Sequence, residues 1–137
     1  AGLVHLKGLT SLYSLNLRRT KVSDAGLVHL KGLTSLQYLS LGKTRITTAG
    51  MENLKDLTKL QVLGLDSTQI TDAGLEHLEG LTNLQNLGLG FSKVSDAGVV
   101  HLKGLTKLKT LGLERTNVTD AGRAELQQAL PKCRISK

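Results

Sequence analysis

The sequence predicts an α/β solenoid, in which each turn of the chain supplies one short strand and one short helix to a parallel sheet and a helical layer. The dipeptide Ala-Gly returns every 24 residues, from Ala1 to Ala121, without insertion or deletion. Counting from that Ala, aliphatic residues at positions 15 and 17 alternate with other residues, which is typical of a strand. Aliphatic residues at positions 3, 6 and 9 are spaced by three, which is typical of a short helix or a 3₁₀ turn.

The period divides the chain into coils, a term used here for each 24-residue unit. Five full coils are predicted over residues 1–120, and a half-coil over 121–137. A single coil cannot bury its own leucines, so stacked coils are expected to share one core and one long parallel sheet.

The two ends of the array are predicted to differ. In the half-coil, Gln127 and Pro131 depart from the repeat pattern, which indicates a C-terminal cap, while Ile135 keeps position 15 and predicts a last short strand. The first coil has no cap, so Leu3, Leu6 and Leu9 are expected to face an absent coil. End-to-end self-association or a longer parent protein would cover them.

Polar residues at two repeat positions are assigned to backbone hydrogen bonds. Position 24 immediately precedes Ala-Gly and is predicted to cap the helix that follows; it holds Asp24, Thr48, Asp72, Asp96 and Asp120. Hydroxyls at position 20 are predicted to bond the backbone where the chain leaves the strand, forming a row along the solenoid; they belong to Thr20, Thr44, Thr68, Ser92 and Thr116.

The pattern Leu12-x-x-Leu15-x-Leu17-x-x-Thr20-x-Val22 resembles the leucine-rich repeat, with Thr in place of the commoner Asn. Thr-Asp-Ala-Gly-Leu-x-x-Leu is similar to the 24-residue repeats of bacterial leucine-rich repeat proteins and to those of F-box substrate receptors. The resemblance implies a curved solenoid with a concave parallel sheet and convex helices. It implies little about function, because the family shares a scaffold and varies its partners.

Composition limits the classes of function. The net charge of +7 and the pI near 9.8 fit either an anionic partner or simple solubility. The single cysteine, Cys133, cannot form an internal disulfide, which favours a reducing compartment, and we expect the cytoplasm. No apolar run approaches the roughly 18 residues of a membrane span, so no membrane association is expected.

No catalytic, cofactor or metal site is predicted. The four histidines all occupy position 5 on successive helices, and helices pack about 8–10 Å apart, too far for zinc ligands at about 2.0–2.1 Å. Ser14 and Ser40 lie in strand positions, on the opposite layer from any histidine base. Asp66 and Glu114 lie two coils apart, so they are not expected to form an acid–base pair. The chain is therefore predicted not to be an enzyme.

The most variable positions, 13, 14, 16, 18 and 19, are predicted to point outward from the sheet, and they contain all three aromatic residues. Aromatic and arginine side chains are the usual anchors of protein interfaces. Three glycines at position 16, Gly64, Gly88 and Gly112, are expected to leave the centre of this face open to a partner's backbone. The predicted partner-binding residues are Tyr13, Arg18, Tyr38, Lys43, Val62, Asp66, Phe91, Glu114 and Arg115.

The function favoured by these patterns is recognition of a protein or peptide on the concave face. Two alternatives stay open. A basic cluster at the strand ends of the first two coils would suit an anion or a nucleic acid; it consists of Arg18, Arg19, Lys21, Lys43 and Arg45. The chain could also be a structural spacer within a longer repeat protein.

Overall fold

The structure, a computed structural model, describes residues 2–136 and contains one parallel sheet of six strands in sequence order. Neighbouring strands pair with an offset of 24 residues, so Leu15 lies opposite Leu39, and Leu39 opposite Leu63. The predicted α/β solenoid, with strands on the concave face and short helices on the convex face, is confirmed. The strands are β1 Ser14–Asn16, β2 Tyr38–Ser40, β3 Val62–Gly64, β4 Asn86–Gly88, β5 Thr110–Gly112 and β6 Arg134–Ser136.

The convex layer consists mostly of 3₁₀ helix. A 3₁₀ helix has three residues per turn, which matches the spacing of three between buried aliphatic residues. The 3₁₀ segments are Gly2–Leu6, Val28–Leu30, Thr48–Leu54, Asp72–Leu78 and Val100–Leu102. The α-helices are α1 Asp24–Leu27, α2 Asp96–Val99 and α3 Asp120–Ala129.

The core is one continuous stack of aliphatic side chains between the two layers. At position 15, Leu39, Leu63, Leu87 and Leu111 are at most 2% exposed, and each lies above its counterpart in the next coil. Such a stack buries each coil against its two neighbours, so stability depends on the interfaces between coils.

Asp24, Asp72 and Asp96, at position 24, bind the next coil, and the prediction that they occupy the helix N-cap was wrong. The extended residue just before each helix, such as Ser95 at φ −133°, occupies the N-cap, and Asp96 is already helical. Asp72 instead reaches across to the following coil. Its Oδ1 accepts the Ser95 N–H at 2.6 Å, and its Oδ2 accepts the Ser95 hydroxyl at 2.5 Å. We call this arrangement the coil clamp.

The coil clamp recurs along the convex side of the chain. Asp24 holds Thr47, and Asp96 holds Thr119, each through one backbone N–H and one hydroxyl. In the second coil Thr48 replaces the carboxylate, and its hydroxyl oxygen accepts the Thr71 N–H at 2.8 Å. The clamp needs a glycine at position 2, because a Cβ atom on Gly98 would collide with Asp72 Oδ1.

The hydroxyls at position 20 form the predicted row. Each donates to the carbonyl oxygen three residues earlier, at the end of its own strand, over 2.6–2.8 Å. Thr44, Thr68 and Ser92 are themselves buried. Each bond satisfies a carbonyl where the chain turns away from the sheet.

The described ends of the array differ in exposure. Leu9 is 48% exposed, whereas Leu33 at the same position in the second coil is fully buried. Leu3, expected to face outward, is buried and packs beside Gly26 of the second coil, which corrects that expectation. At the other end, the Gln127 side chain donates to the carbonyls of Leu130 and Cys133, both at 2.9 Å.

The Cys133 carbonyl occupies position 13, and in an inner coil this carbonyl accepts N–H groups of the next coil, as Gln61 accepts from Gln85 at 2.8 Å. The Gln127 amide therefore bonds an acceptor that a further coil would otherwise use. The division into five repeats over 1–120 and a cap over 121–137 stays a prediction, and its outermost residues, 1 and 137, lie outside the described residues.

The exposed first coil should exchange its amide hydrogens faster than the inner coils. Residues 13–19 contain β1, which has one partner strand, and their core leucines, Leu15 and Leu17, are only partly buried. Hydrogen exchange followed by mass spectrometry at low protein concentration should show less protection there than in residues 61–67. Equal protection of the two segments in a proven monomer would contradict this prediction.

Candidate interaction surface on the concave face

Alternation along the strands decides which side chains face outward. In β2, Leu39 points into the core, whereas Tyr38 on the opposite side is 53% exposed. Tyr13, just before β1, is 65% exposed. The concave face therefore displays positions 14 and 16 of each strand, as predicted.

Position 19 has a left-handed backbone in all five full coils, although none of these residues is glycine. The φ angles lie between 55° and 61°, at Arg19, Lys43, Ser67, Phe91 and Arg115. Left-handed backbone is uncommon for bulky side chains and costs roughly 1–2 kcal/mol per residue. Strand-like hydrogen bonds hold the conformation, since the Phe91 N–H donates to the Glu114 carbonyl of the next coil at 2.7 Å. The turn presents Phe91 at the edge of the sheet, 59% exposed.

A shallow hollow of about 360 Å³, which we call the central depression, lies over the last four strands. Gly64, Gly88 and Gly112 contribute no side chain to its floor, and Asp66 and Glu114 border it. Its remaining lining residues are Val62, Leu63, Asn86, Leu87, Thr110, Leu111, Arg134 and Ser136.

The carboxylates of Asp66 and Glu114 converge, contrary to the expectation from their separation of two coils. The Cβ position of Gly90, in the coil between them, lies 3.4 Å from Asp66 Oδ1 and 2.8 Å from Glu114 Oε2. The two oxygens are therefore within about 6 Å of each other. They approach because Gly90 lacks the side chain that would separate them. Asp66 Oδ1 also accepts the Gly90 N–H at 3.2 Å.

Charged side chains lie over the glycines of this face, so those glycines are less open than predicted. A Cβ atom on Gly88 would lie 2.6 Å from Asp66 Oδ2, and one on Gly112 would lie 3.1 Å from Glu114 Oε2. Arg18 crosses Gly42 in the same way and approaches Asp66, with Nη1 4.0 Å from Oδ2. The glycines thus allow long charged side chains to lie flat against the sheet.

The structure brings some of the predicted partner-binding residues together. Val62, Asp66 and Glu114 line the central depression, and Arg18 contacts Asp66. Phe91, Glu114 and Arg115 border an adjoining hollow of about 740 Å³.

Other predicted residues lie elsewhere, and two lining residues were missed. Tyr13, Tyr38 and Lys43 are exposed on the first two coils and do not line the central depression. Arg134 and Ser136 line it but were not predicted. Both could have been predicted from the repeat, because Ile135 at position 15 places Arg134 and Ser136 at the outward positions 14 and 16.

The convex side carries surface ion pairs. His101 Nδ1 contacts Glu79 Oε1, and Lys103 Nζ lies 2.5 Å from Glu125 Oε1. Among residues 2–136, no group of three or more His, Cys, Asp or Glu side chains is arranged to hold a metal ion. Cys133 is a free, buried thiol, and burial raises its pKa, which lowers its reactivity. None of the helices in this part of the chain has the length and apolarity needed to cross a membrane.

Comparisons with known proteins agree with this geometry. The leucine-rich repeat family profile matches residues 10–70. An internalin (inlF) of Listeria monocytogenes superposes with a TM-score of 0.84 at 30% identity, covering 96% of this chain and 36% of that one. Internalin C2 of the same organism superposes with a TM-score of 0.80 at 34% identity, covering 98% of this chain and 58% of that one.

This chain therefore spans about a third to three fifths of the internalins that it matches. The C-terminal domain of tropomodulin from Caenorhabditis elegans shares the fold at 17% identity, with a TM-score of 0.73 over 96% of this chain and 90% of its own. A search of curated protein sequences gives no significant match.

Proposed function

Because the chain belongs to the leucine-rich repeat family, we propose that it is a non-enzymatic recognition module that binds a protein or peptide on its concave face. The observation that carries the proposal is the placement of its aromatic residues. Tyr13, Tyr38 and Phe91 are the only aromatic residues of the chain, and all three are more than half exposed beside the strands. Exposed aromatic side chains cost free energy in water and recover it in an interface.

The proposed binding residues divide into two groups. Tyr13, Arg18, Tyr38 and Lys43 belong to the first two coils, where the surface is aromatic and basic. Around the central depression and the hollow beside it, the surface is glycine-rich and carries acidic and apolar groups; there the proposed residues are Val62, Asp66, Phe91, Glu114 and Arg115. A partner that covers both groups would meet surfaces of different charge, which fixes its orientation.

The proposal also covers catalysis, the cellular compartment and self-association. No residue is assigned a catalytic or cofactor-binding role, and a membrane is not among the proposed partners. The single buried Cys133 is compatible with the cytoplasm, which stays a prediction. Exposed Leu9 at the first coil supports the prediction of end-to-end association.

Substitution of the aromatic residues tests the concave face directly. The partner is first identified by affinity capture on the intact chain followed by mass spectrometry. Tyr38→Ala and Phe91→Ala should then each weaken its binding by more than about 1 kcal/mol, a factor of five or more, measured by calorimetry. The convex variants His29→Ala and His77→Ala should bind as the unmodified chain does. Loss of binding in the histidine variants, with the aromatic variants unaffected, would overturn the proposal.

The same measurement separates the alternatives. Arg18, Arg19 and Lys43 are all exposed on the first two coils, which favours an anion or nucleic acid as the second candidate. For a nucleic acid, neutralising these residues should dominate, and affinity should fall with salt at a log–log slope of roughly −0.7 to −0.9 per phosphate contacted. For a spacer, no concave substitution should alter any interaction.

A further inference from the structure

We infer that the central depression receives an arginine side chain of the protein partner, held between the carboxylates of Asp66 and Glu114. The inference rests on the proposed function, since it assumes that the concave face is the binding surface. It specifies the chemistry of one contact on that surface. Its test does not depend on the aromatic variants that test whether the concave face binds the partner.

The shape of the central depression suits a single extended side chain. Its volume of about 360 Å³ is too small for a packed secondary-structure element, and its floor is formed by Gly64, Gly88 and Gly112. Asp66 and Glu114 lie over Gly88 and Gly112, so the aliphatic part of a long side chain has its space beside them, over Gly64, where the nearest atoms to an added Cβ would be those of Ser40, from 3.5 Å.

Charge on the concave face is complementary to a cation only at this place. Among the outward positions 13, 14, 16, 18 and 19, Asp66 and Glu114 are the only acidic residues, in a chain of net charge +7. Both are half-buried, so their charges are partly desolvated. A partner cation is therefore attracted to the two carboxylates, although Arg134 also lines the depression, while the rest of the face is neutral or repels a cation.

The carboxylates keep acceptor capacity after their internal contacts. Among the described residues, Asp66 accepts the Gly90 N–H and meets Arg18 only at 4.0 Å, while Glu114 accepts the Ser136 hydroxyl. None of the ion pairs within 4.0 Å in this part of the chain includes Glu114. Since an ionised carboxylate offers about four lone-pair sites, both groups can accept further donors.

Two neighbouring carboxylates with unused acceptor sites favour a guanidinium group, which carries several donors and is weakly hydrated. Their facing oxygens lie within about 6 Å, and a guanidinium presents five N–H donors in a planar fork that can bond an acceptor on each side. A lysine ammonium is a compact point charge with three donors, and it is more strongly hydrated than a guanidinium, so it loses more hydration on entering this half-buried place. Phe91 stands on the adjoining hollow that Glu114 also lines, where an aromatic face can contact the arginine.

Short peptides test the inference without knowledge of the natural partner. The probes are end-blocked Gly-Gly-Arg-Gly-Gly and its versions with lysine or with citrulline, which keeps the shape of arginine but not its charge. In NMR titrations up to tens of millimolar, the arginine peptide should shift the amide resonances of Gly88, Gly90 and Gly112. The lysine peptide should bind more weakly, and the citrulline peptide should give no shift at these residues.

Conservative variants localise the contact. Asp66→Asn with Glu114→Gln should weaken binding of the arginine peptide at least tenfold, because the amides lose the negative charge but keep the shape. Glu52→Gln makes the same change of charge on the convex helix and should leave binding unchanged. Absence of glycine shifts with the arginine peptide, equal shifts with citrulline, or equal affinity in the double variant would each overturn the inference.

The partner obtained by affinity capture separates the two proposals. If Tyr38→Ala weakens its binding but the double carboxylate variant binds it normally, the concave face is the binding surface and the arginine inference is wrong. If neither variant changes binding, the proposed function itself is wrong.

Discussion

Replacing Leu63 with alanine is expected to lower the free energy of unfolding by about 2–5 kcal/mol. Leu63 is fully buried in the third coil, and its strand pairs with both neighbours, so the cavity opens in the middle of the stack. The surrounding leucines are fixed by their own coils and can close only part of that cavity. Equilibrium urea denaturation followed by circular dichroism measures the change.

The adjacent residue provides the matched control. Val62 lies on the opposite side of the same strand and is half-buried, so Val62→Ala should cost less than about 1 kcal/mol. The two variants truncate neighbouring side chains of the same strand, one that points into the core and one that points outward. If Leu63→Ala cost no more than Val62→Ala, the buried column at position 15 would not be the core that the structure describes.

Replacing Asp72 with alanine is expected to cost about 1.5–3 kcal/mol of stability, although the residue is only half-buried. The substitution removes both acceptors of the coil clamp and leaves the Ser95 N–H and hydroxyl without them. Hydrogen bonds to a charged group are stronger than neutral ones, which explains why a surface-layer residue carries a large effect. Urea denaturation of the variant measures the loss.

The chain offers its own control for the coil clamp. In the second coil, Thr48 performs the same task with one hydroxyl oxygen. Asp72→Thr should therefore recover part of the stability that Asp72→Ala loses. Equal stability of the alanine and threonine variants would show that the acidic residue acts in some other way than by accepting these hydrogen bonds.

Features that depend on the repeat alone were predictable from the sequence. The period places Leu15, Leu39 and Leu63 at equivalent positions, and a parallel sheet built from equivalent coils has to pair them in that register. The hydroxyls at position 20 were predictable for the same reason, because each bonds a carbonyl only three residues away in its own coil. Local geometry and periodicity were sufficient for both.

Features that join different coils were harder to predict. Asp72 stands where either a cap or a clamp is compatible with the sequence, and the choice depends on Ser95, which is 23 residues away. The approach of Asp66 to Glu114 depends on side-chain direction and on the missing Cβ of Gly90 between them. Neither periodicity nor composition contains that information, so the candidate site was only partly predicted.

The coil clamp has a consequence for how such a chain can change its length and order. The clamp hydrogen bonds join position 24 of one coil to position 23 of the next, so the third, fourth and fifth coils present nearly interchangeable clamp junctions: Asp72 with Ser95, and Asp96 with Thr119. Duplication, loss or exchange of a whole 24-residue unit within this region preserves every junction. Genetic recombination can therefore rearrange the outward residues of the sheet while the scaffold that carries them stays the same.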